Sequence, residues 1–306
     1  MEEIFKTILP IFAIIFLGWS LRRLDFMQEG FLKPANRLVY FVAIPAMIFR
    51  EIAEAALAEH FRLILVAAAL SPIVLIFAVG QVLVRGINLQ RSQVGTFLQS
   101  SFHGNLGYIG LAVSYYFLGN DGFTRASILA GFIMLLQNFL AVVALSRYSA
   151  APRETPLFSL LKRILLNPVI ISAMAGMAFS LTGLDLPVIL DRSLKILSGM
   201  ALPLALLVIG TSLSFAQMRQ QLRLTLVISV FKLMLLPALG VTIFLLLHLN
   251  RVEYLPALIL LASPTATVTY VMASEMAGDP DLATAAISAT TLVSAVTFTL
   301  WLGLAS

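Results

Sequence analysis

Two apolar stretches of the chain carry polar and helix-breaking residues near their middle, and these residues could bind an anion. Residues 100–110 read SSFHGNLGYIG, and residues 261–270 read LASPTATVTY. Glycine weakens a helix, and proline removes a backbone donor. Helix breaks are therefore predicted at Gly104, Gly107, Gly110 and Pro264. The alternative is that the glycines allow close helix packing and that Pro264 is a tolerated kink. The N-terminus of a half-helix presents N–H groups and about half a positive charge, which suits a carboxylate.

Side-chain amides and hydroxyls around these stretches supply further donors. Asn105 is the first candidate for a substrate contact because its amide can donate to a carboxylate. The alternative is a structural cap on the broken helix. Gln137 and Asn138 lie in another apolar run, where adjacent helix positions point about 100° apart. One of the two is expected to face the site, and we favour Gln137. Four hydroxyls either line the site or bond back to their own helices: Ser101, Ser263, Thr265 and Thr267.

One basic residue, Lys232, is predicted to lie ~15 Å deep in the membrane at 1.5 Å per residue. A cation at that depth costs ~2.5–3.5 kcal/mol on insertion scales. Two interpretations stay open: Lys232 balances an anionic substrate, or it pairs permanently with polar groups. We find no Asp or Glu at comparable depth in the sequence, which argues against cation transport as the main task. Glu275 is expected to be an interfacial carboxylate rather than a coupling site, and His103 is expected to be structural.

The composition indicates an integral membrane protein. Hydrophobic residues make up 60% of the 306 residues and charged residues 11%, against about 45–50% and about 25% in soluble domains. A membrane span takes ~20 mostly apolar residues. The first apolar run is predicted to be a true span, because Glu2 and Glu3 stand where a cleaved signal has basic residues. Ten runs predict an all-α protein with ten transmembrane helices: residues 4–21, 36–52, 61–84, 94–118, 124–146, 164–182, 188–214, 222–249, 254–276 and 282–303.

Lysine and arginine predict the orientation, because cytoplasmic loops carry an excess of both. The side that holds both termini carries seven basic residues: Lys6, Arg50, Arg62, Arg125, Arg192, Lys195 and Arg251. The other side carries twelve: Arg22, Arg23, Lys33, Arg37, Arg85, Arg91, Arg147, Arg153, Lys162, Arg163, Arg219 and Arg223. The rule places both termini outside and the 147–163 loop in the cytoplasm. The predicted location is the plasma membrane, as a multi-pass protein of the bacterial inner membrane.

The 147–163 loop also divides the predicted spans into two sets of five. Because five is odd, the second set enters from the opposite face, so a repeat would be inverted. A shift of 158 residues places Gly18 on Gly176, and a shift of 162 places Tyr108 on Tyr270. We therefore predict a first five-helix repeat at 1–147, a cytoplasmic linker at 148–163 and an inverted second repeat at 164–306.

Three short motifs resemble, in order, signatures of the auxin efflux carrier family of membrane transporters. They are NLGYIG at 105–110, KLMLLP at 232–237 and PTAT at 264–267. Bacterial members of that family are described as malonate or malate permeases, and plant members are the PIN-type auxin exporters. The family often has a proline after the first motif, whereas residues 110–113 read GLAV. The break in the fourth helix would then depend on glycines alone.

The resemblance implies a fold like that of the bile acid–sodium symporters. Helices 1, 2, 6 and 7 would form a scaffold that usually dimerises. Helices 3–5 and 8–10 would form a mobile core in which the broken helices 4 and 9 cross. Substrate would bind at the crossing, and elevator-like motion of the core would expose it to alternate sides. The predicted substrate-binding residues are Asn105, Gly107, Tyr108, Gln137, Lys232, Pro264, Thr265, Ala266 and Thr267.

The residues and the resemblance together predict a secondary transporter of small organic anions, either auxin-like or malonate- or malate-like mono- or dicarboxylates. The alternative is a sodium-coupled organic anion symporter of the bile acid type. An enzyme is not predicted, because no nucleophile–base or metal constellation has suitable spacing. No cofactor or metal site is predicted, since cysteine is absent and the three histidines lack metal spacing; Na⁺ or H⁺ coupling is left open. The expected partners are the anion, the lipid bilayer and a second copy of the chain, and no nucleic acid.

Overall fold

The structure of the chain is a computed structural model that describes residues 2–55, 61–149 and 166–305. Within these residues all regular secondary structure is helical, apart from one isolated β-bridge. The described α-helices, in chain order, are α1 Glu2–Arg23, α2 Glu29–Leu38, α3 Ile44–Ala53, α4 Leu63–Leu83, α5 Arg91–Phe102, α6 Leu111–Tyr148, α7 Pro168–Ser180, α8 Val188–Thr211, α9 Phe215–Gln220, α10 Leu222–Ser229, α11 Leu236–Leu246, α12 Arg251–Ala262, α13 Val268–Glu275 and α14 Pro280–Leu304.

Six helical segments of the described chain are long and apolar enough to cross a membrane: Glu2–Arg23, Leu63–Leu83, Leu106–Tyr148, Val188–Thr211, Leu222–Leu246 and Pro280–Leu304. The prediction of an all-α protein with several membrane-spanning helices is confirmed. The predicted runs at 36–52, 94–118 and 254–276 fall on interrupted helices, and the run at 164–182 falls on the shorter α7. Ten crossings therefore stay a prediction. Most of the predicted linker, from residue 150 onward, lies outside the described residues.

Capping side chains and a glycine explain where two helices begin and where a third is interrupted. Asn250 accepts from the backbone N–H of Glu253, whose carboxylate accepts from the N–H of Asn250, so α12 begins with a capping box. Asp279 caps the start of α14, where its carboxylate accepts from the backbone N–H of Leu282. Gly119 interrupts α6 with φ 67° and ψ −165°, a conformation that glycine adopts without steric cost. The turn at Gly119 falls between the predicted runs at 94–118 and 124–146.

Glycines let one group of helices pack backbone to backbone. The helices α1 and α8 lie along each other, and a methyl group on Gly18 would overlap the carbonyl oxygen of Leu207. The helices α3 and α7 pack in a comparable way, since a methyl group on Gly176 would lie 3.0 Å from the carbonyl oxygen of Phe49. Since α3 also packs on α8, the helices α1, α3, α7 and α8 form one group.

A second group of helices surrounds the interrupted ones. The helix α5 packs against α4, α6 and α14, and α12 packs against α6, α11 and α14. The helix α13 packs against α5 and α14. Polar side chains are buried in this group, among them Gln99, Thr265 and Thr290. Each of them needs a hydrogen-bond partner within the protein, because no water is available in an apolar interior to bind it.

Three π-helical turns lie between the α-helices of the described chain: Val39–Ala43, Leu106–Gly110 and Val230–Leu235. A π turn changes the hydrogen-bond ladder locally, so a backbone carbonyl can be left for another donor. In the third turn the carbonyl oxygen of Leu233 accepts from Trp301 Nε1 at 2.7 Å. This turn carries Lys232, and the second turn carries Tyr108.

Candidate functional site

The two interrupted helices meet where both are broken. Helical structure stops after Phe102 and after Ala262, and the extended residues that follow run antiparallel, with Gly104 opposite Thr265. The N–H of Asn105 donates to the carbonyl of Pro264 at 2.7 Å, and the N–H of Ala266 donates to the carbonyl of His103 at 2.9 Å. This pairing satisfies backbone groups that a break would otherwise leave exposed. We call residues 103–105 and 264–266 the crossing.

Thr265 fastens the crossing to its surroundings. Its N–H donates to Thr290 Oγ1 at 3.0 Å, and its hydroxyl donates to the carbonyl oxygen of Ser100 at 2.9 Å. Ser100 lies in the last turn of α5, where carbonyl groups lack partners within the helix. Both donors of Thr265, a predicted substrate contact, are therefore already hydrogen-bonded within the protein.

Gln137 bridges the break in the chain after α5. Its Nε2 donates to the carbonyl of Phe102 at 3.0 Å, and its Oε1 accepts from the N–H of Gly104 at 3.2 Å. The side chain has no exposed surface. Its neighbour Asn138 donates to the carbonyl of Met134 on its own helix at 2.8 Å. Of the two amides it is Gln137 that faces the crossing, where it holds the backbone in place.

Lys232 reaches the end of α12 from the π turn that carries it. Its Nζ donates to the carbonyl oxygen of Leu261 at 2.8 Å, and its side chain has no exposed surface. A methyl group on Gly104 would lie 3.3 Å from the same nitrogen. Of the two interpretations of Lys232, this contact matches the second, in which the ammonium group pairs with polar groups of the protein.

Asn105 keeps a buried donor without a partner. Its Oδ1 accepts from the N–H of Tyr108 at 3.3 Å, which caps the turn Leu106–Gly110. Because a backbone N–H requires an acceptor, the oxygen faces Tyr108 and the Nδ2 group points elsewhere. That nitrogen is buried and has no hydrogen-bond partner among the described residues. The capping role and an open donor role are thus both present in one side chain.

Tyr108 connects the interrupted helix to α2. Its hydroxyl donates to Asn36 Oδ1 at 2.6 Å, and the residue is buried. Asn36 is exposed, and it was not among the candidates from the sequence. No short motif marks Asn36, since its partner lies 72 positions away.

The predicted break positions take different places. Gly104 and Pro264 lie in the crossing, whereas Gly107 and Gly110 lie inside the π turn Leu106–Gly110 and do not interrupt the helix themselves. A methyl group on Gly110 would lie 2.7 Å from Ser263 Oγ, so this glycine allows a close approach. Ala266 is buried in the crossing, and Thr267 is a half-buried residue at the N-terminus of α13.

A further polar cluster lies beside the crossing. Gln99 Nε2 lies 3.3 Å from His103 Nδ1 and donates to Met272 Sδ at 3.2 Å. His103 is buried in this contact, as expected for a structural histidine. Among the described residues no group of three or more His, Asp or Glu side chains could hold a metal ion.

Comparison with known proteins decides the family. The profile of the family described as membrane transport protein matches residues 3–157 and 153–302, which together span nearly the whole chain. The chain belongs to this family. The membrane transport protein family includes the auxin efflux carriers, so the resemblance found in the motifs is confirmed.

Relatives of this membrane transport protein match it over nearly its full length. A protein of Rhizobium meliloti (strain 1021) named "Putative malonate transporter" is 27% identical over 98% of this chain and 95% of its own length. An uncharacterized transporter of Methanothermobacter thermautotrophicus is 25% identical over 97% of this chain and 96% of its own. An uncharacterized transporter of Methanocaldococcus jannaschii is 23% identical over 96% of both. Family, relatives and apolar helices together make this chain a multi-pass membrane transport protein.

Proposed function

We propose that the chain is a secondary transporter of small organic anions, such as mono- or dicarboxylates of the malonate, malate or auxin type. The observation that carries the proposal is the buried Nδ2 of Asn105, which has no partner among the described residues. A buried donor left unpaired costs about 1–3 kcal/mol, and a carboxylate oxygen would satisfy it. The printed name of the Rhizobium meliloti relative supports the same substrate class.

The helix ends at the crossing favour a negative charge beside Asn105. The turn Leu106–Gly110 begins at Asn105, and α13 begins after Thr267. Each helical N-terminus contributes about half a positive charge. In this proposal Asn105, Tyr108 and Thr267 contact the anion together with the backbone near Gly107 and Ala266. Gln137, Lys232, Pro264 and Thr265 hold the crossing in shape.

The proposed architecture has ten membrane-spanning helices in two inverted five-helix repeats. Support comes from the two glycines that the repeat relates, because Gly18 packs on α8 and Gly176 packs on α3. The paired N–H to carbonyl bonds of the crossing are reciprocal, as a two-fold relation requires. The two stretches matched by the family profile also correspond to the two proposed halves. The likeness to the bile acid–sodium symporter fold is part of this proposal.

Ion pairs and hydrogen bonds between helix ends support the proposed topology, in which successive loops lie on alternate sides of the membrane. Arg50 pairs with Asp191 at 2.6 Å, and Arg62 pairs with Glu253. All four residues belong to loops or helix ends that the ten-span topology places on one side, which the basic residues assign to the outside. On the proposed cytoplasmic side, Gln217 Nε2 donates to Asp281 at 3.1 Å. Both termini would then be outside in a bacterial inner membrane.

The proposed mechanism is an elevator movement of one helix group against the other. The group α1, α3, α7 and α8 is joined by backbone contact at Gly18, which suits a rigid scaffold that forms a homodimer. The group around α5 and α12 carries the crossing and would move as the core. The hydrogen bond between Tyr108 and Asn36 would then join the core to the scaffold.

Uptake by proteoliposomes tests the proposal. Radiolabelled malonate, malate and a broad panel of organic acids are offered to the wild type and to Asn105→Ala, with Asn138→Ala as the matched amide control. We expect saturable uptake of at least one acid, a loss of tenfold or more in Asn105→Ala, and near wild-type uptake in the control. Uptake equal to that of empty liposomes across the panel would refute the proposal. A parallel series with and without a sodium gradient separates it from sodium-coupled symport.

A further inference from the structure

The place of Lys232 in the structure has a consequence for ion coupling. Of the Lys, Arg, Asp and Glu side chains that the structure describes, only that of Lys232 is buried, with no exposed surface. None of the ion pairs between described residues includes it. Since an isolated cation in an apolar interior is costly, its charge must be balanced by dipoles of the backbone.

Two half-helices end beside the ammonium group. Lys232 Nζ donates to the carbonyl oxygen of Leu261, the second-last residue of α12. A methyl group on Gly104, two residues beyond the end of α5 at Phe102, would lie 3.3 Å from the same nitrogen. Each helical C-terminus carries about half a negative charge. The two ends together offset about one positive charge, which is the charge of one ammonium group.

We propose that Lys232 is a built-in counter-cation of the crossing, and that its ammonium group fills the place where a dissociable cation would otherwise bind. A second cation close to Nζ would be repelled by the ammonium group, because like charges in a buried site are screened only weakly. The crossing therefore needs no sodium ion to complete it. The resulting sodium-independent transport rests on the proposed function, whereas the counter-cation role does not.

The chain offers a direct test by chemical rescue. Lys232→Ala removes three methylene groups and the ammonium, which together have the size of n-propylammonium. Thermal unfolding of the purified protein in detergent is measured at constant ionic strength while n-propylammonium chloride replaces tetramethylammonium chloride. We expect Lys232→Ala to unfold at least roughly 5 °C lower than the wild type, and n-propylammonium to restore much of the loss saturably. Wild type and Lys232→Met, which leaves no equivalent cavity, are expected to show no such gain.

Other outcomes separate the parts of the proposal. A folded Lys232→Ala that n-propylammonium does not stabilise would overturn the counter-cation role. If that variant does not fold, wild-type protein gives the answer: a saturable stabilisation by sodium over potassium would overturn the proposal, and equal stability in both would support it. In proteoliposomes, replacing sodium by potassium is expected to change uptake less than twofold. Rescue without uptake of any organic anion would refute the proposed function and leave the counter-cation in place.

Discussion

Asn105 and Pro264 are joined by a 2.7 Å hydrogen bond from the backbone N–H of the first to the carbonyl oxygen of the second. They lie 159 positions apart in sequence (264 − 105), yet the bond makes the two broken helices one unit. The partner bond from Ala266 to His103 closes the same short antiparallel pairing. Around this pairing, side chains from other helices satisfy the remaining backbone groups, and their contributions can be measured separately.

Replacing Gln137 should destabilise the protein far more than replacing its neighbour. Gln137→Leu removes one partner from the carbonyl of Phe102 and one from the N–H of Gly104. Each buried group left unpaired costs about 1–3 kcal/mol. Asn138→Leu loses only a bond to its own helix and is expected to cost less than about 1 kcal/mol. Thermal unfolding of both variants in detergent compares them, and equal losses would contradict the bridging role of Gln137.

Thr265 and Thr267 give a second matched pair. Thr265→Val keeps the shape of the side chain but removes the donor to the carbonyl of Ser100. We expect a loss of about 1–3 kcal/mol in the free energy of unfolding. Thr267→Val changes a half-buried residue at the start of α13 and should leave stability nearly unchanged. If Thr267→Val were the more destabilising of the two, the fastening role of Thr265 would be wrong.

The hydrogen bond between Tyr108 and Asn36 should appear as a coupling energy. Tyr108→Phe and Asn36→Ala each remove one partner of the 2.6 Å bond. A double-mutant cycle with both variants is expected to give a coupling of about 0.5–1.5 kcal/mol. Tyr115→Phe with Asn36→Ala serves as the uncoupled control, since Tyr115 is an exposed residue of α6 that lies before the interruption at Gly119. Additive effects in the Tyr108 cycle would show that the bond contributes nothing to stability.

Gly110 and Gly107 should respond differently to the same added methyl group. On Gly110 the methyl group would lie 2.7 Å from Ser263 Oγ and 3.0 Å from Leu260 Cδ2, whereas on Gly107 it would lie 3.5 Å from Met134 Cε. Overpacking costs about 1–3 kcal/mol, so Gly110→Ala should unfold at lower temperature while Gly107→Ala stays near the wild type. Adding Ser263→Ala to Gly110→Ala removes the nearest atom and should recover part of the loss. No recovery would place the strain elsewhere.

The sequence predicted where the helices are broken because the breaking residues are local signals. Pro264 lacks a donor and Gly104 lacks a side chain, and both effects act on the residue's own backbone. The membrane class followed from composition for a similar reason, since apolar content is a property of whole segments. Gly107 and Gly110 were expected to break the helix, but glycine is also tolerated inside a turn where close packing offsets its cost.

The partners at the crossing could not be predicted, because they depend on which helices meet. The Leu261 carbonyl that binds Lys232 is 29 positions away, and Thr290 is 25 positions from Thr265. The π turn that carries Lys232 has no sequence signature in a uniformly apolar run. Asn36 was missed for the same reason: its bond to Tyr108 is visible only once α2 lies against the interrupted helix.

Under the proposed function, the crossing has a consequence for how substrate choice can change within one architecture. The two bonds that hold the broken strands together use only backbone N–H and carbonyl groups. If the site binds an anion as proposed, the side chains that face it can be exchanged without altering those bonds, provided that Gln137 and Thr265 still satisfy the adjacent helix ends. New specificity can then arise by few substitutions on an unchanged frame, so diversification at this site carries a small penalty in stability.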